Sequence, residues 1–277
     1  MALSILNNIS SLAAQNQLSL TQASLNKTLQ QLSSGSRINS GADDAAGLAI
    51  ADGLNANITA LTQSARNATD GVGELQVADG ALSQITTLLN RAITLATESS
   101  TGTVSNSQRT SLDAEFTAIK TEIDTIGQKT TYNGQAVFSA GANLTVYLSD
   151  STTAGTSSVS VTIGAVDSAN LGATSLTGDD LTTAANAQAA LGDINAAIAA
   201  VANLRGTLGA SSNQLTAASN VINNQVQNLT AAEDGIRAAD IGQTTADLSK
   251  YSILQQTGIA ALQQSNQTQQ SVLKLLQ

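Results

Sequence analysis

The side chains of this sequence that could do acid–base or metal chemistry are carboxylates, and two of them, Asp43 and Asp44, are adjacent. A carboxylate pair can share a proton or bind a hard cation. Acidic residues before a helix have a simpler role, because they accept hydrogen bonds from free backbone N–H groups and lie at the positive end of the helix dipole. An apolar periodic run follows this pair, so we interpret both aspartates as helix-capping residues.

The chain of 277 residues contains no histidine and no cysteine. Ser-His-Asp and Cys-His catalysis, histidine-ligated zinc, thiolate metal sites and disulfides are therefore excluded. We predict no enzyme activity, no cofactor and no metal site. The formal net charge is −9 and the sequence has no basic stripe, so neither nucleic acid nor a membrane is an expected partner. No apolar run approaches the roughly 18 residues of a transmembrane helix, and the N-terminal residues do not resemble a secretory signal.

Both ends of the chain are almost uncharged and carry large apolar residues at helical spacing. From Met1 to Ser36 the only charged residue is Lys27, and none lies between Lys250 and Lys274. Such helices have too little apolar surface to fold alone and no charge to keep copies apart. We predict that they pack against each other and against copies of themselves. The residues expected to carry this self-assembly are Leu18, Leu25, Leu29, Leu32, Ile259, Leu262, Leu273 and Leu276.

Long helices are predicted between the two ends. The run from Leu54 to Ala96 places apolar residues in alternating steps of four and three, and only Asp79 and Thr86 interrupt it. Asp79 is interpreted either as a register-setting polar position or as a sign that the row lies one residue away. This repeat is typical of coiled coils, and the absence of proline removes the commonest helix break. A returning helix has a similar pattern, with Arg205 in one of its polar slots. The predicted helices cover about 43–98, 106–128 and 183–236.

The region of about 131–180 changes from a helical period to alternation, and Asn133-Gly134 is a tight-turn dipeptide. We predict one or two β-hairpins there. The expected fold is mainly α: a long antiparallel coiled-coil-like helical rod with paired terminal helices and a small β-hairpin insertion. The predicted domains are a terminal-helix domain, 1–36 and 243–277, and a rod domain, 37–242.

One segment resembles a known family. Leu32–Ala51, which reads LSSGSRINSGADDAAGLAIA, is similar to the N-terminal signature of bacterial flagellins. Supporting similarities are ARNATDG at Ala65–Gly71, YNG at Tyr132–Gly134 and SVLKLL at Ser271–Leu276. The resemblance covers roughly residues 1–138 and 180–277, and only the predicted β region is unmatched.

The resemblance implies a structural subunit that self-assembles into the flagellar filament used for swimming motility. It also implies that the terminal helices form the inner tube of the filament and that the rod helices surround it. A chain this short is similar to minimal flagellins without outer surface domains. The implied partners are copies of itself, an export chaperone, and the filament cap and junction proteins. The implied location is the extracellular flagellum, after type III export without a cleaved signal peptide.

The resemblance also bears on individual residues at the joint between helices and on the first rod helix. Arg37 is expected either to stabilise the joint between the terminal and rod helices, by bonding carbonyls or a neighbouring acid, or to be a solvated loop arginine. Recognition of flagellins by a vertebrate innate receptor uses an Arg, a Leu and a Glu, which correspond here to Arg91, Leu95 and Glu115. This chain has Asn90 where a Gln usually precedes the Arg. Arg91 is interpreted as an inter-subunit contact, and an ordinary exposed charge is the alternative.

Three other functions compete with the filament subunit. A hook–filament junction protein would share the terminal helices without forming long polymers. A flagellin with an inserted zinc peptidase would need a His-Glu-x-x-His helix, which a chain without histidine lacks. A soluble helical adaptor would explain the apolar repeats but would make the signature a coincidence.

Overall fold

The computed structural model of the chain describes residues 8–140, 143–149, 158–171 and 175–275, with side chains up to residue 271. Most of these residues lie in long helices, which are α1 Ile9–Ser34, α2 Ala45–Ser100, α3 Asn106–Lys129, α4 Ala184–Arg237 and α5 Ile241–Leu275. The prediction of a mainly α fold with a small β insertion is confirmed. The predicted limits of the three central helices differ from the observed ones by no more than two residues.

Local sequence explains where several helices begin and end. The Asn8 side chain accepts the N–H of Ser11 at the start of α1, and Gly35 ends that helix with a φ of 68°. Glycine is favoured at such a left-handed position because it has no Cβ. A capping box between Ser105 and Gln108 begins α3. Because the sequence has no proline, α2 and α4 continue without a break for 56 and 54 residues.

The described part of the β region forms two antiparallel hairpins, within the one or two predicted. The first pairs β1, Thr131–Tyr132, with β2, Gln135–Ala136. Its turn is the Asn133-Gly134 dipeptide, whose φ angles of 48° and 78° are both positive, as a tight two-residue hairpin turn requires. The second hairpin pairs β3, Asn143–Tyr147, with β4, Ser158–Thr162.

The chain divides into two compact units. The terminal unit comprises Met1–Ala56 and Asn228–Gln277, and the central unit comprises Asn57–Gln227. Helices α2 and α4 contribute residues to both units. The predicted domain limits at 36/37 and 242/243 follow helix ends instead, and they stay a prediction.

The core of the central unit lies between α2, α3, α4 and the hairpins, and one of the two predicted rows on α2 is buried there. That row is Leu61, Ala68, Leu75, Leu82, Leu89 and Ala96. The second buried row is Ser64, Gly71, Ala78, Ile85 and Ala92, one residue before the predicted Ala65, Val72, Asp79, Thr86 and Ile93, which are only half-buried. Close packing explains the difference, because a Cβ on Gly71 would lie 2.6 Å from Cγ2 of Val146.

Two polar residues predicted within apolar rows, Asp79 on α2 and Arg205 on α4, contact each other. The Nε of Arg205 on α4 lies 2.7 Å from Oδ1 of Asp79 on α2. Both side chains remain partly exposed, so the ion pair adds little stability, typically about 0–1 kcal/mol for such pairs. It lets both polar residues lie beside the apolar core without burying an unpaired charge.

Candidate assembly surface

The terminal unit is built on the antiparallel pair of α1 and α5. On α1, the side chains of Thr21, Leu25 and Thr28 are buried. Leu18 packs against Gly258 of α5, where an added Cβ would lie 3.3 Å from the Leu18 Cδ1 atom. Small residues therefore bring the two helices together along part of their length.

Polar side chains also bridge the two helices. The amide nitrogen of Gln255 donates to the amide oxygen of Gln22 at 2.6 Å. Near the start of α1, the Ser11 hydroxyl donates to Asn266 at 3.1 Å. The Ser265 hydroxyl donates to Asn8 at 3.3 Å. The pair is thus held by a mixture of apolar and hydrogen-bonded contacts.

The sides of α1 and α5 that face away from this pairing carry exposed apolar side chains. Ile9 is 73% exposed, Leu20 is 64% exposed and Ile253 is 62% exposed. Leu20 lies about 140° around α1 from the buried Leu25, because each residue turns the helix by about 100°. The other exposed apolar side chains of these helices are Leu12, Leu29, Ile241, Leu254 and Ile259. We call the exposed apolar side chains of α1 and α5 the outer apolar surface.

The predicted assembly residues fall into three groups. Leu25 is buried between the helices, and Leu18, Leu32 and Leu262 are half-buried. Leu29 and Ile259 are 46% and 44% exposed and belong to the outer apolar surface. Leu273 lies in α5 beyond the described side chains, and Leu276 lies outside the described residues.

Sequence reasoning missed two small residues between the helices, Thr28 and Gly258. Each lies one residue before a predicted apolar position, Leu29 or Ile259. A search for small residues at helical spacing, rather than for leucine and isoleucine, would have found them.

The joint between α1 and α2 is bonded to the joint between α4 and α5. Ser36 and Ala238 form an isolated antiparallel bridge, and the backbone N–H of Arg37 donates to the Arg237 carbonyl at 2.7 Å. The Arg37 guanidinium donates to the Ile236 carbonyl, also at 2.7 Å. Arg37 therefore satisfies a carbonyl at the C-terminus of α4 that has no partner within the helix. This is one of the two roles expected for Arg37.

Lys27, the only charged residue of α1, is paired with Asp43. Its ammonium nitrogen lies 2.7 Å from Oδ1 of the carboxylate, and the backbone N–H groups of Asn39 and Ser40 donate to Oδ2. The Lys27 hydrogen bond and these backbone donors lower the pKa of Asp43 from 3.8 to about 2. Asp44 accepts the N–H of Gly47 at 2.9 Å, in agreement with its interpretation as a capping residue.

Because its pKa is lower in the folded state, Asp43 contributes stability that is present above pH 3.8 and is lost as the pH falls toward 2. We expect Asp43→Asn to lower the thermal unfolding midpoint of the chain at neutral pH, with the difference from wild type vanishing near pH 2. Circular dichroism melts across this range measure it. Asp52→Asn, at an exposed position of α2, is the control for loss of one charge. A difference that is independent of pH would contradict the assigned interaction.

Of the three residues matched to the receptor-binding residues of flagellins, Arg91 and Glu115 are exposed and Leu95 is buried. Arg91 and Glu115 form a bidentate ion pair, with Nε–Oε1 and Nη2–Oε2 distances of 2.7 and 3.0 Å. This pairing lowers the pKa of Glu115. Leu95 is only 1% exposed and belongs to the core of the central unit. Its burial argues against a direct contact by its side chain, and a contact role for Arg91 and Glu115 stays a prediction.

Within the part of the chain that the structure describes, no group of three or more acidic side chains is arranged to hold a metal ion. Among the same residues, no helix is long and apolar enough to cross a membrane.

Comparison with known proteins agrees with the sequence resemblance. Residues 5–143 match the family described as the bacterial flagellin N-terminal helical region. Residues 191–276 match the bacterial flagellin C-terminal helical region. These two regions contain α1, α2, α3 and α5 and most of α4.

Relatives cover nearly the whole chain. A flagellin from Halalkalibacterium halodurans is 36% identical over 250 residues, which are 90% of this chain and 91% of the relative. A flagellar filament 33 kDa core protein from Treponema phagedenis is 34% identical over 283 residues, 98% of each chain. The crystal structure of Bacillus cereus flagellin is 31% identical, covers 61% of this chain and 94% of that chain, and has a TM-score of 0.49. The two family regions and these identities show that the chain belongs to the bacterial flagellin family.

Proposed function

We infer that the chain is a structural subunit that self-assembles into the bacterial flagellar filament. The observation that supports this most directly is the outer apolar surface of the terminal unit. Helices α1 and α5 already pair with each other, yet Ile9, Leu20 and Ile253 remain exposed to solvent. Large exposed apolar surfaces on a folded chain mark protein contacts.

Copies of the same chain are suitable partners for this surface. The one charge on α1 is Lys27, which Asp43 neutralises, so repulsion between copies of α1 is small. Full burial of one Leu or Ile side chain contributes about 1.5–3 kcal/mol. Ile9, Leu20 and Ile253 are 73%, 64% and 62% exposed, so burial of four such side chains would contribute roughly 4–8 kcal/mol per subunit, before the entropic cost of association. In a polymer every subunit repeats this contact, so the contribution recurs along the lattice.

A hook–filament junction protein is the alternative considered from the sequence. Its terminal helices would need the same kind of apolar surface, so the geometry of α1 and α5 alone does not distinguish the two functions. The relatives do distinguish them, because one is named flagellin and another a flagellar filament core protein. Family membership also makes the chain a structural protein and not an enzyme.

Further partners and the location outside the cell follow from family membership as proposals. We propose export through the flagellar type III apparatus, with an export chaperone, and assembly beneath a filament cap onto junction proteins. A role in swimming motility and recognition by a vertebrate innate receptor are proposals of the same kind. For recognition, the exposed members of the matched set are Arg91 and Glu115.

Leu20→Asp tests the outer apolar surface. Since Leu20 is 64% exposed in the subunit, the variant is expected to keep wild-type helicity and thermal stability but to form no long filaments. A buried, unpaired carboxylate at every subunit contact is costly, and the lattice repeats that cost. The measurement is negative-stain electron microscopy of purified subunit, before and after addition of filament seeds or a sulfate precipitant.

Leu20→Met is the matched control, because it keeps an apolar side chain of similar size at the same position. It is expected to form filaments like those of the wild type. Long filaments from Leu20→Asp would remove Leu20 from the assembly surface. A wild-type chain that stays monomeric with seeds shown to be competent would contradict the proposed function itself.

A further inference from the structure

The connection from β4 to α4 ends in residues 175–183, which we call the strap. Its side chains Leu176 and Leu181 are buried in the core of the central unit. The N–H of Leu181 donates to the Asp113 carboxylate of α3 at 2.8 Å. The carbonyl of Leu181 accepts the Ser99 hydroxyl of α2 at 2.6 Å. The strap is therefore packed and hydrogen-bonded against α2 and α3.

The contact of the strap with α4 is made by two acids. The carboxyl of Asp179 in the strap lies within hydrogen-bonding range of the Asp193 carboxyl of α4. The Oδ2 atom of Asp179 is buried and has no hydrogen-bond partner among the described residues. Lys120 of α3 donates to the backbone carbonyl of Asp179 at 2.6 Å. Because two ionised carboxylates can only accept hydrogen bonds, a bond between these acids requires a proton on one of them.

The next residue, Asp180, shows what is particular to Asp179. Asp180 accepts hydrogen bonds from the hydroxyl and the N–H of Thr182, and these bonds lower its pKa. Burial raises the pKa of Asp179, the charges of Asp193 and Asp180 raise it further, and the charge of Lys120 lowers it. Adjacent acids thus shift in opposite directions, because one is surrounded by donors and the other by a second acid.

We propose that Asp179 and Asp193 share one proton and that this proton holds the strap against α4, so that acid strengthens the contact and rising pH weakens it. The charged groups that face Asp179 are Asp193 from α4, Lys120 from α3 and Asp180 from the strap. Since the folded chain binds the proton more tightly than the unfolded chain, the contact contributes stability that is fully present below pH 3.8 and is lost as the pH rises through the folded pKa. This dependence is opposite to that of Asp43 in the terminal unit. It is a property of one subunit and does not depend on the proposed function.

Carboxyl-carbon NMR of the full chain, labelled with ¹³C-aspartate, measures the proton directly. The Asp179 signal is assigned by its absence from the spectrum of Asp179→Asn. Its titration midpoint is expected above pH 3.8. Asp193→Asn should lower that midpoint, because it removes a neighbouring negative charge and supplies an amide donor to the Asp179 carboxylate. A midpoint at or below 3.8, or one that Asp193→Asn leaves unchanged, would overturn the proposal.

Hydrogen exchange followed by mass spectrometry measures the hold on the strap. Asp179→Asn replaces the shared proton by an amide donor that is present at every pH. Peptides that contain Leu181 are therefore expected to exchange about tenfold more slowly in this variant than in the wild type at pH 7. At pH 4 the two proteins should exchange alike, because the wild-type pair then holds its proton. Comparison of both proteins at the same pH removes the intrinsic pH dependence of exchange.

Asp193→Asn places the amide on the other partner and is expected to give the same gain at pH 7. The matched control is Asp70→Asn, the same change at an exposed position of α2 in the central unit, which should leave exchange of the strap unchanged at both pH values. A gain confined to pH 7 in both strap variants supports the shared proton. An equal gain at pH 4 and pH 7, or no gain at either, would overturn it.

Discussion

Leu25→Asp is expected to abolish filament growth while the central unit keeps its helices. Leu25 is buried between α1 and α5, and loss of its side chain costs about 2–5 kcal/mol before the carboxylate is considered. A carboxylate in that position has no positive partner in α1 other than Lys27, which Asp43 already binds. The core from Leu75 to Leu215 does not include Leu25, so it should fold unchanged. Leu262→Asp, on the opposite helix, should act in the same way.

Electron microscopy of seeded assembly and far-UV circular dichroism measure the two parts of this expectation. Asn26→Asp places the same charge on the neighbouring exposed residue, so it separates burial from charge alone. Filaments of normal length from both Leu25→Asp and Leu262→Asp would contradict the role of the α1–α5 pair in filament assembly.

Gly127→Ala is expected to destabilise the central unit by about 3 kcal/mol. Gly127 is buried in α3, and a Cβ added there would overlap the backbone carbonyl oxygen of Val166. That carbonyl cannot move freely, because Val166 is buried and the nearby Ser168 is bonded to Asp124 through its N–H and its hydroxyl. The overlap must therefore be relieved by displacement of packed backbone.

Thermal and denaturant unfolding followed by circular dichroism measure this loss. Gly80→Ala is the matched control, because Gly80 is exposed on α2 in the same unit and an added Cβ would have no neighbour within 4 Å. Replacement of a helical glycine by alanine at such a site is expected to stabilise by about 0.5–1 kcal/mol. Equal effects of the two substitutions would show that the Val166 contact is not what constrains Gly127.

Much of the fold was predictable because it depends on local sequence. The absence of proline and the repeat from Leu54 to Ala96 predicted the long helix α2, and the Asn133-Gly134 dipeptide predicted the first hairpin. The uncharged ends predicted helices that need partners. These features act over a few residues or one helical repeat, so no knowledge of distant contacts was required.

The face that each helix buries was less predictable. Apolar side chains identified one row on each helix correctly, as at Leu25 of α1 and Leu75 of α2. On α2 the adjoining buried row lies one residue before the predicted one, at Ala78 instead of Asp79, and on α1 Thr28 is buried next to the exposed Leu29. Where helices approach closely, the residues between them are small, and a search for large apolar side chains passes over them.

The sequence by itself determined that this chain forms long helices, that its uncharged terminal helices need partners, and which family it resembles. Only the tertiary structure decided which side chains those helices share and which they expose. Leu95 became part of the core, Ile259 became part of the outer apolar surface, and Gln22 found Gln255 more than two hundred residues away. Helical periodicity is set by neighbouring residues, whereas the partner, the register and the exposed face are set by packing between distant segments.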